Sequence, residues 1–178
     1  LHAIYYRVSE SSLAYFNEFK KRKIVIGEEA VMEVSKFSLE GKDRKSLRNS
    51  LNALQKKGYE AEVLFAPHSD EIVESLKQVS DDWLLFYNKK EMVFSQGQFD
   101  SLEIAHQDVI VLKDENRQIV SFLNVIKDFT EGECTYDLIR KTENAPGGSM
   151  DALIVKLVEY AKNKNYQFIN FGLVPMKG

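Results

Sequence analysis

Apolar positions recur at two periods along this chain, and the alternation between the periods divides it into elements. From Ser11 to Lys21 the spacing is helical, with Leu13, Phe16 and Phe19 on a common side. Ile24-Val25-Ile26 and Ala30 to Val34 read as two strands joined at Gly27. A helix capped by Asp43 runs to about Lys57 and stops at Gly58, with Leu47, Leu51 and Leu54 as its buried stripe. Tyr59 to Phe65 alternates as a strand does. Ile72, Leu76, Val79, Trp83 and Phe86 return at helical steps, which predicts a helix over 69–87. A short helix over 99–105 follows. Next come strands at 109–112, 119–126 and 133–139, the first two joined by an Asp114-Glu115-Asn116 turn. The pattern closes with a helix over 150–163, burying Leu153, Leu157, Val158 and Ala161, and a strand at 168–171.

This order, strand, helices, three strands, helix, strand, predicts an α/β (α+β) fold: a mixed sheet flanked by helices. The 178 residues fit one domain with a sizeable core, and 44% hydrophobic with 29% charged residues excludes a disordered chain. A formal charge of −3 gives no global reason for nucleic-acid binding, so local clusters must carry any such case. The lone Cys134 excludes an internal disulfide and reads as a small core residue. No apolar run approaches a bilayer span, and the start has no signal-peptide pattern. His2, His68 and His106 are scattered without ligand spacing, so no metal site is expected.

Two stretches carry chemistry. In the first, Tyr136-Asp137-Leu138-Ile139-Arg140 leads through Pro146-Gly147-Gly148 into a helix opened by Ser149-Met150-Asp151. An acid and a base at a strand end thus face a glycine turn and a helix N-terminus, whose N–H groups and dipole favour a phosphate or a reacting carbonyl. Asp137 and Arg140 are three residues apart, which on a regular strand points them to opposite faces; sharing one site requires the strand to bend. The plain alternatives are a turn with its cap and an ion pair at a strand end. In the second, Lys45, Arg48, Asn49, Asn52 and Lys56 fall opposite the leucine stripe of the 43–57 helix. With Lys42, Arg44 and Lys57 they form a basic face suited to nucleic-acid phosphates or anionic lipid headgroups, or merely to water. Trp83 reads as core by its spacing.

Taken in order, the motifs resemble a known family. They are Gly27-Glu28-Glu29-Ala30; Phe37-Ser38-Leu39-Glu40-Gly41; Arg44-Lys45-Ser46-Leu47-Arg48-Asn49; Ser80-Asp81-Asp82-Trp83-Leu84; and Phe94-Ser95-Gln96-Gly97-Gln98-Phe99-Asp100. After these come Tyr136 to Arg140, Met150-Asp151 and Phe168-Ile169-Asn170-Phe171-Gly172-Leu173-Val174-Pro175. Together they look like the catalytic domain of the lysylphosphatidylglycerol synthases, the multiple peptide resistance factors, over nearly the whole chain from Gly27. The element order likewise resembles the N-acetyltransferase (GNAT) fold, in which the loop after the fourth strand, here 141–149, grips the donor.

The resemblance implies an aminoacyltransferase. It would move an amino acid, lysyl in the name-giving members, from aminoacyl-tRNA to the glycerol hydroxyl of phosphatidylglycerol at the inner, cytoplasmic face of the bacterial membrane. No metal or dissociable cofactor is implied. Asp137 and Arg140 match the family's functional pair; Ser95, Gly97, Phe99, Gly147, Gly148, Asp151 and Asn170 are the expected substrate-binding positions. Arg44, Lys45, Arg48 and Lys56 would meet tRNA or a lipid headgroup. Residues 1–42 are expected to be a remnant of, or link to, a preceding acyltransferase-like lobe, with 43–178 a lobe truncated at its C-terminus. A transmembrane flippase region is a further expected partner in the full-length protein, and the chain alone is expected not to turn over. Ile139 stands where the family usually has Met, and Gln96 where it often has Leu.

Three other readings share parts of this pattern. A peptidoglycan-type tRNA-dependent aminoacyltransferase has the same paired lobes. A non-catalytic lobe binding tRNA or an anionic membrane needs only the basic helix. An acetyl-coenzyme A enzyme is disfavoured because 141–148 lacks the dense glycine pattern that pyrophosphate requires.

Overall fold

The computed structural model describes residues 4–6, 8–16, 22–91, 97–128 and 130–175. Among these, six strands form one sheet in the order β1-β6-β5-β4-β3-β2. The strands are β1 (Gly27–Glu33), β2 (Glu60–Leu64), β3 (Val109–Lys113), β4 (Ile119–Lys127), β5 (Glu133–Lys141) and β6 (Phe168–Pro175). The helices are α1 (Leu13–Phe16), α2 (Lys45–Lys56), α3 (Asp70–Phe86), α4 (Ser101–Ile104) and α5 (Ser149–Asn163). Residues Val31–Phe171 make one compact unit, which holds the residues of the candidate site; Leu1–Ala30 with Gly172–Gly178 make another.

β2 to β5 are antiparallel neighbours, and β5 and β6 are parallel, as a crossover through α5 requires. β3 shows why the core has two sides. Val109 and Val111 pack with Leu76, Val79 and Ile104 of α3 and α4, whereas Ile110 and Leu112 pack with Leu153, Leu157 and Leu54 of α5 and α2. A strand covered on both faces reads as a continuous apolar run, and Val-Ile-Val-Leu is one. The sheet therefore separates an α3–α4 face from an α2–α5 face.

Several expected boundaries shift. Residues 24–26 lie in no strand, the expected 30–34 strand is instead β1 starting at Gly27, and residues 34–36 form a 3-10 turn, because Val34 turns into the core of the α2–α5 face. Asp43 does not cap α2: the cap position is Arg44, without a side-chain hydrogen bond. The last strand continues past Phe171 to Pro175, and it is not an edge, since β1 lies beyond it. In the N-terminal helix the described part is a 3-10 turn, Glu10–Ser12, followed by α1; Phe19 lies outside the described residues.

Candidate functional site

The centre of the site is an irregularity in the β4–β5 ladder. Leu123 pairs with Ile139 and Val125 with Tyr136, so two residues, Asp137 and Leu138, stand opposite the single Asn124. This is a β-bulge. Its two N–H groups both donate to Asn124 Oδ1, from Asp137 at 3.2 Å and from Leu138 at 2.6 Å. Asn124 is buried, and its Nδ2 in turn donates to Gln107 Oε1 at 2.9 Å.

The bulge resolves the conflict between Asp137 and Arg140. Cys134 and Tyr136 face α5, which turns Asp137 to the α3 face. The extra residue then leaves Leu138 on that same α3 face, Ile139 on the α5 face, and Arg140 beside α3. Without it, the three-residue spacing would separate the acid from the base.

Both side chains engage the connection between α3 and α4. Arg140, only 4% exposed, donates through Nη1 and Nη2 to the two oxygens of Glu91, at 2.8 and 2.7 Å. It also donates to Ser80 Oγ, and its guanidinium lies 5.2 Å from the centre of the Trp83 ring. Glu91 Oε1 accepts further from the Phe99 N–H at 3.3 Å. The Arg140 hydrogen bonds hold the Glu91 carboxyl below the usual carboxylate range, against an opposing push from burial. Asp137 Oδ1 accepts from the Gly97 N–H at 2.8 Å. A Cβ on Gly97 would lie 1.4 Å from Asp137 Oδ2, so a glycine is required for this approach. Asp137 as a residue is exposed, with Oδ2 lying against the same glycine.

The β5–β6 register runs only through Glu133↔Phe168, Cys134↔Ile169 and Thr135↔Asn170, whereas β5 itself continues to Lys141. Thr135 Oγ1 donates to the Asn170 carbonyl at 2.8 Å, and the buried Asn170 amide donates to Glu133 Oε1 at 2.8 Å. Ile169 and Phe171 pack on the α5 side, so Asn170 shares the α3 face with Asp137, two residues along from its partner Thr135.

The predicted site residues therefore separate into groups. Asp137, Arg140, Gly97 and Phe99 come together, with Asn170 on the same sheet face. Phe99 is also a packing residue, edge-on to Phe122 at 6.1 Å between ring centres. Ser95 and Phe94 lie outside the described residues. Gly147, Gly148 and Asp151 stand at the start of α5, where no contact with Asp137 or Arg140 is found among the described residues. Gly148 has φ +88°, and a Cβ there would meet Ser50 Oγ of α2 at 2.0 Å; packing and backbone account for this glycine. Lys45, Arg48 and Lys56 lie on α2, with Arg44 at its cap position, on the opposite face of the sheet from Asp137. Lys45 and Lys56 are exposed, but Arg48 donates to the carbonyls of Leu39 and, at 2.8 Å, Gly41. Arg44 sits 5.7 Å over the Phe37 ring.

Two expectations need correction. Arg140, expected to face the 146–148 turn, instead gives its fork to Glu91, because a guanidinium this buried needs a local counter-charge. Trp83, expected in the core, is half-buried and is a stacking partner of Arg140. Burial pushes the Cys134 thiol up to about 11, in keeping with a core residue rather than a nucleophile.

The comparisons with known proteins bear on this same arrangement. The family described as "Phosphatidylglycerol lysyltransferase, C-terminal" matches residues 1–178. The chain belongs to that family. A phosphatidylglycerol lysyltransferase of Staphylococcus xylosus is 34% identical over 173 residues, which is 97% of this chain and 20% of that protein. The structure of L-PGS from Bacillus licheniformis has a TM-score of 0.87 at 36% identity, over 95% of this chain and 51% of that one. A GCN5-related glucosamine N-acetyltransferase region of a fungal multi-domain β-N-acetylglucosaminidase has a TM-score of 0.55 at 10% identity. It covers 93% of this chain and 20% of that one, and shows the fold alone. The chain spans about a fifth of the length of the curated relatives it matches. Its fold is an α/β, GNAT-like mixed sheet flanked by helices.

Within this family domain, Glu91 and Asn124 are the residues that sequence reasoning missed. Asn124 left a signal, being an amide inside the apolar run Phe122 to Val125. Glu91 left little, since its partner is 49 residues away. A groove of about 430 Å³ between α3 and the β3–β4 hairpin contains none of the predicted site residues. Its cations Lys113 and Arg117 are paired with Glu62 and, for Arg117, Glu60.

Proposed function

We propose that this chain carries the acyl-transfer site of an aminoacyltransferase, which moves an aminoacyl group, lysyl by family name, from aminoacyl-tRNA to phosphatidylglycerol at the cytoplasmic membrane face. The carrying observation is the exposed Asp137 carboxylate, held against Gly97 by the N–H bond to Oδ1, on a bulge where β5 outruns its pairing with β6. In direct transfer the glycerol hydroxyl attacks the aminoacyl ester carbonyl. A new ester C–O bond forms, the bond to the tRNA ribose oxygen breaks, and the hydroxyl proton ends on that ribose oxygen. The Asp137 carboxylate serves either as the proton's way-station or as the anchor of the donor's ammonium group. Arg140 acts from behind: with Glu91 and Ser80 it holds the segment bearing Gly97 and Phe99 against β5. The exposed lysines of α2, on the other sheet face, suit tRNA phosphates. The region before residue 43 leads, in this reading, from a preceding acyltransferase-like lobe.

The test is full-length protein carrying Asp137→Asn, supplied with labelled lysyl-tRNA and phosphatidylglycerol vesicles, followed by lipid extraction and chromatography. The proposal expects labelled aminoacyl-lipid from wild type and a loss of at least about a hundredfold in the variant.

A further inference from the structure

The C-terminal end of α3 presents three large apolar side chains in succession: Leu85, Phe86 and Tyr87 are 81%, 50% and 44% exposed. Scattered exposed apolar residues are ordinary, but a contiguous trio at a helix end marks a contact surface. After Asn88 come Lys89 and Lys90, both exposed. The Lys89 ammonium lies 4.9 Å from the centre of the Trp83 ring and 5.7 Å from that of Tyr87. Residues 83–90 contain no acid, and the acids on either side are engaged. Asp81 pairs with Lys77, Asp82 accepts the Glu143 N–H at 2.9 Å, and Glu91 holds Arg140. The tip is therefore apolar and aromatic with a net positive rim, the composition that settles at the headgroup level of an anionic bilayer. It also adjoins the site, because Trp83 is in contact with Lys89 on the tip and with Arg140 beneath it.

We propose that Leu85, Phe86 and Tyr87, with Lys89 and Lys90, form the surface by which this chain docks on an anionic phospholipid membrane, on the sheet face that carries Asp137. The inference rests on the aminoacyltransferase reading for the identity of its lipid. It assigns the lipid to the α3 tip and leaves the basic face of α2 to the other substrate.

The experiment uses the 178-residue chain and two kinds of vesicle, mixed phosphatidylglycerol–phosphatidylcholine and pure phosphatidylcholine. Trp83 is the single tryptophan, so brominated acyl chains report its depth by quenching. The wild type binds mixed vesicles at least about tenfold tighter than neutral ones, with Trp83 quenched. Leu85→Ser/Phe86→Ser and, separately, Lys89→Glu/Lys90→Glu each weaken binding at least about tenfold while keeping the wild-type thermal melt. Unchanged binding in both variants overturns the proposal, as does an unquenched Trp83. Loss of vesicle binding in Lys45→Glu/Lys56→Glu alone would move the lipid to α2 and overturn it too. A tip variant that changes only the association state assigns the tip to a second copy and likewise overturns the membrane assignment. No transfer occurs in this assay, so it is separable from the Asp137 test: an active full-length Asp137→Asn protein would defeat the catalytic reading and leave the vesicle result standing.

Discussion

At the residue scale, Glu91 and Gly97 have distinct tasks that different measurements separate. Glu91 balances a buried guanidinium, so Glu91→Gln leaves Arg140 with half its fork and no counter-charge. A loss of about 2–3 kcal/mol is expected, read as a shift in the denaturant midpoint at constant m-value. Its pH dependence has a fixed sign. The paired carboxyl titrates below its unfolded value, so the stabilisation is complete above the ordinary carboxylate range. It is lost as pH falls through the lowered value, and the gap between wild type and Glu91→Gln should narrow below about pH 4.3. Gly97→Ala acts elsewhere. The new Cβ displaces the Asp137 carboxylate, and transfer by the full-length protein should fall about a hundredfold with little change in melting temperature. Transfer at wild-type rates would show that the approach of Gly97 to Asp137 is incidental.

At the element scale, the bulge and the α5 entrance are the two places where local backbone decides the geometry. Asn124→Ala strands the N–H groups of Asp137 and Leu138 inside the sheet, at an expected cost of about 3 kcal/mol. Hydrogen exchange at residues 137–138 should accelerate ahead of the rest of β5. Gly148→Ala meets both a positive φ and Ser50, and about 3 kcal/mol is again expected; adding Ser50→Gly relieves only the clash, so stability returns in part. The elements themselves were largely legible, because α3, α5 and β3–β5 each carry a clean period. The bulge was not. A strand bend leaves no trace in apolar alternation, and only the requirement that Asp137 and Arg140 share a site pointed to one. The missing cap on α2 has the same character: Asp43 has the right chemistry one residue too early.

At the scale of the whole molecule, the sheet separates two surfaces. The acid site and the α3 tip occupy one face, and the basic face of α2 the other. That division was hidden in the sequence, since periodicity tells which side of a helix is buried but not which side of a sheet the helix covers. The basic cluster also shrinks on inspection, because Arg48 is tied to the backbone before α2. Reversal of the exposed pair, Lys45→Glu/Lys56→Glu, should weaken tRNA binding and lower the slope of log K against log salt by about 2, whereas Arg48→Glu should chiefly destabilise the fold. The most direct test of the whole account is transfer by full-length Asp137→Asn with labelled lysyl-tRNA, measured beside its melting temperature and its tRNA affinity. The account predicts aminoacyl-lipid formation reduced at least about a hundredfold with both other quantities at wild-type values. Wild-type transfer by that variant would contradict it.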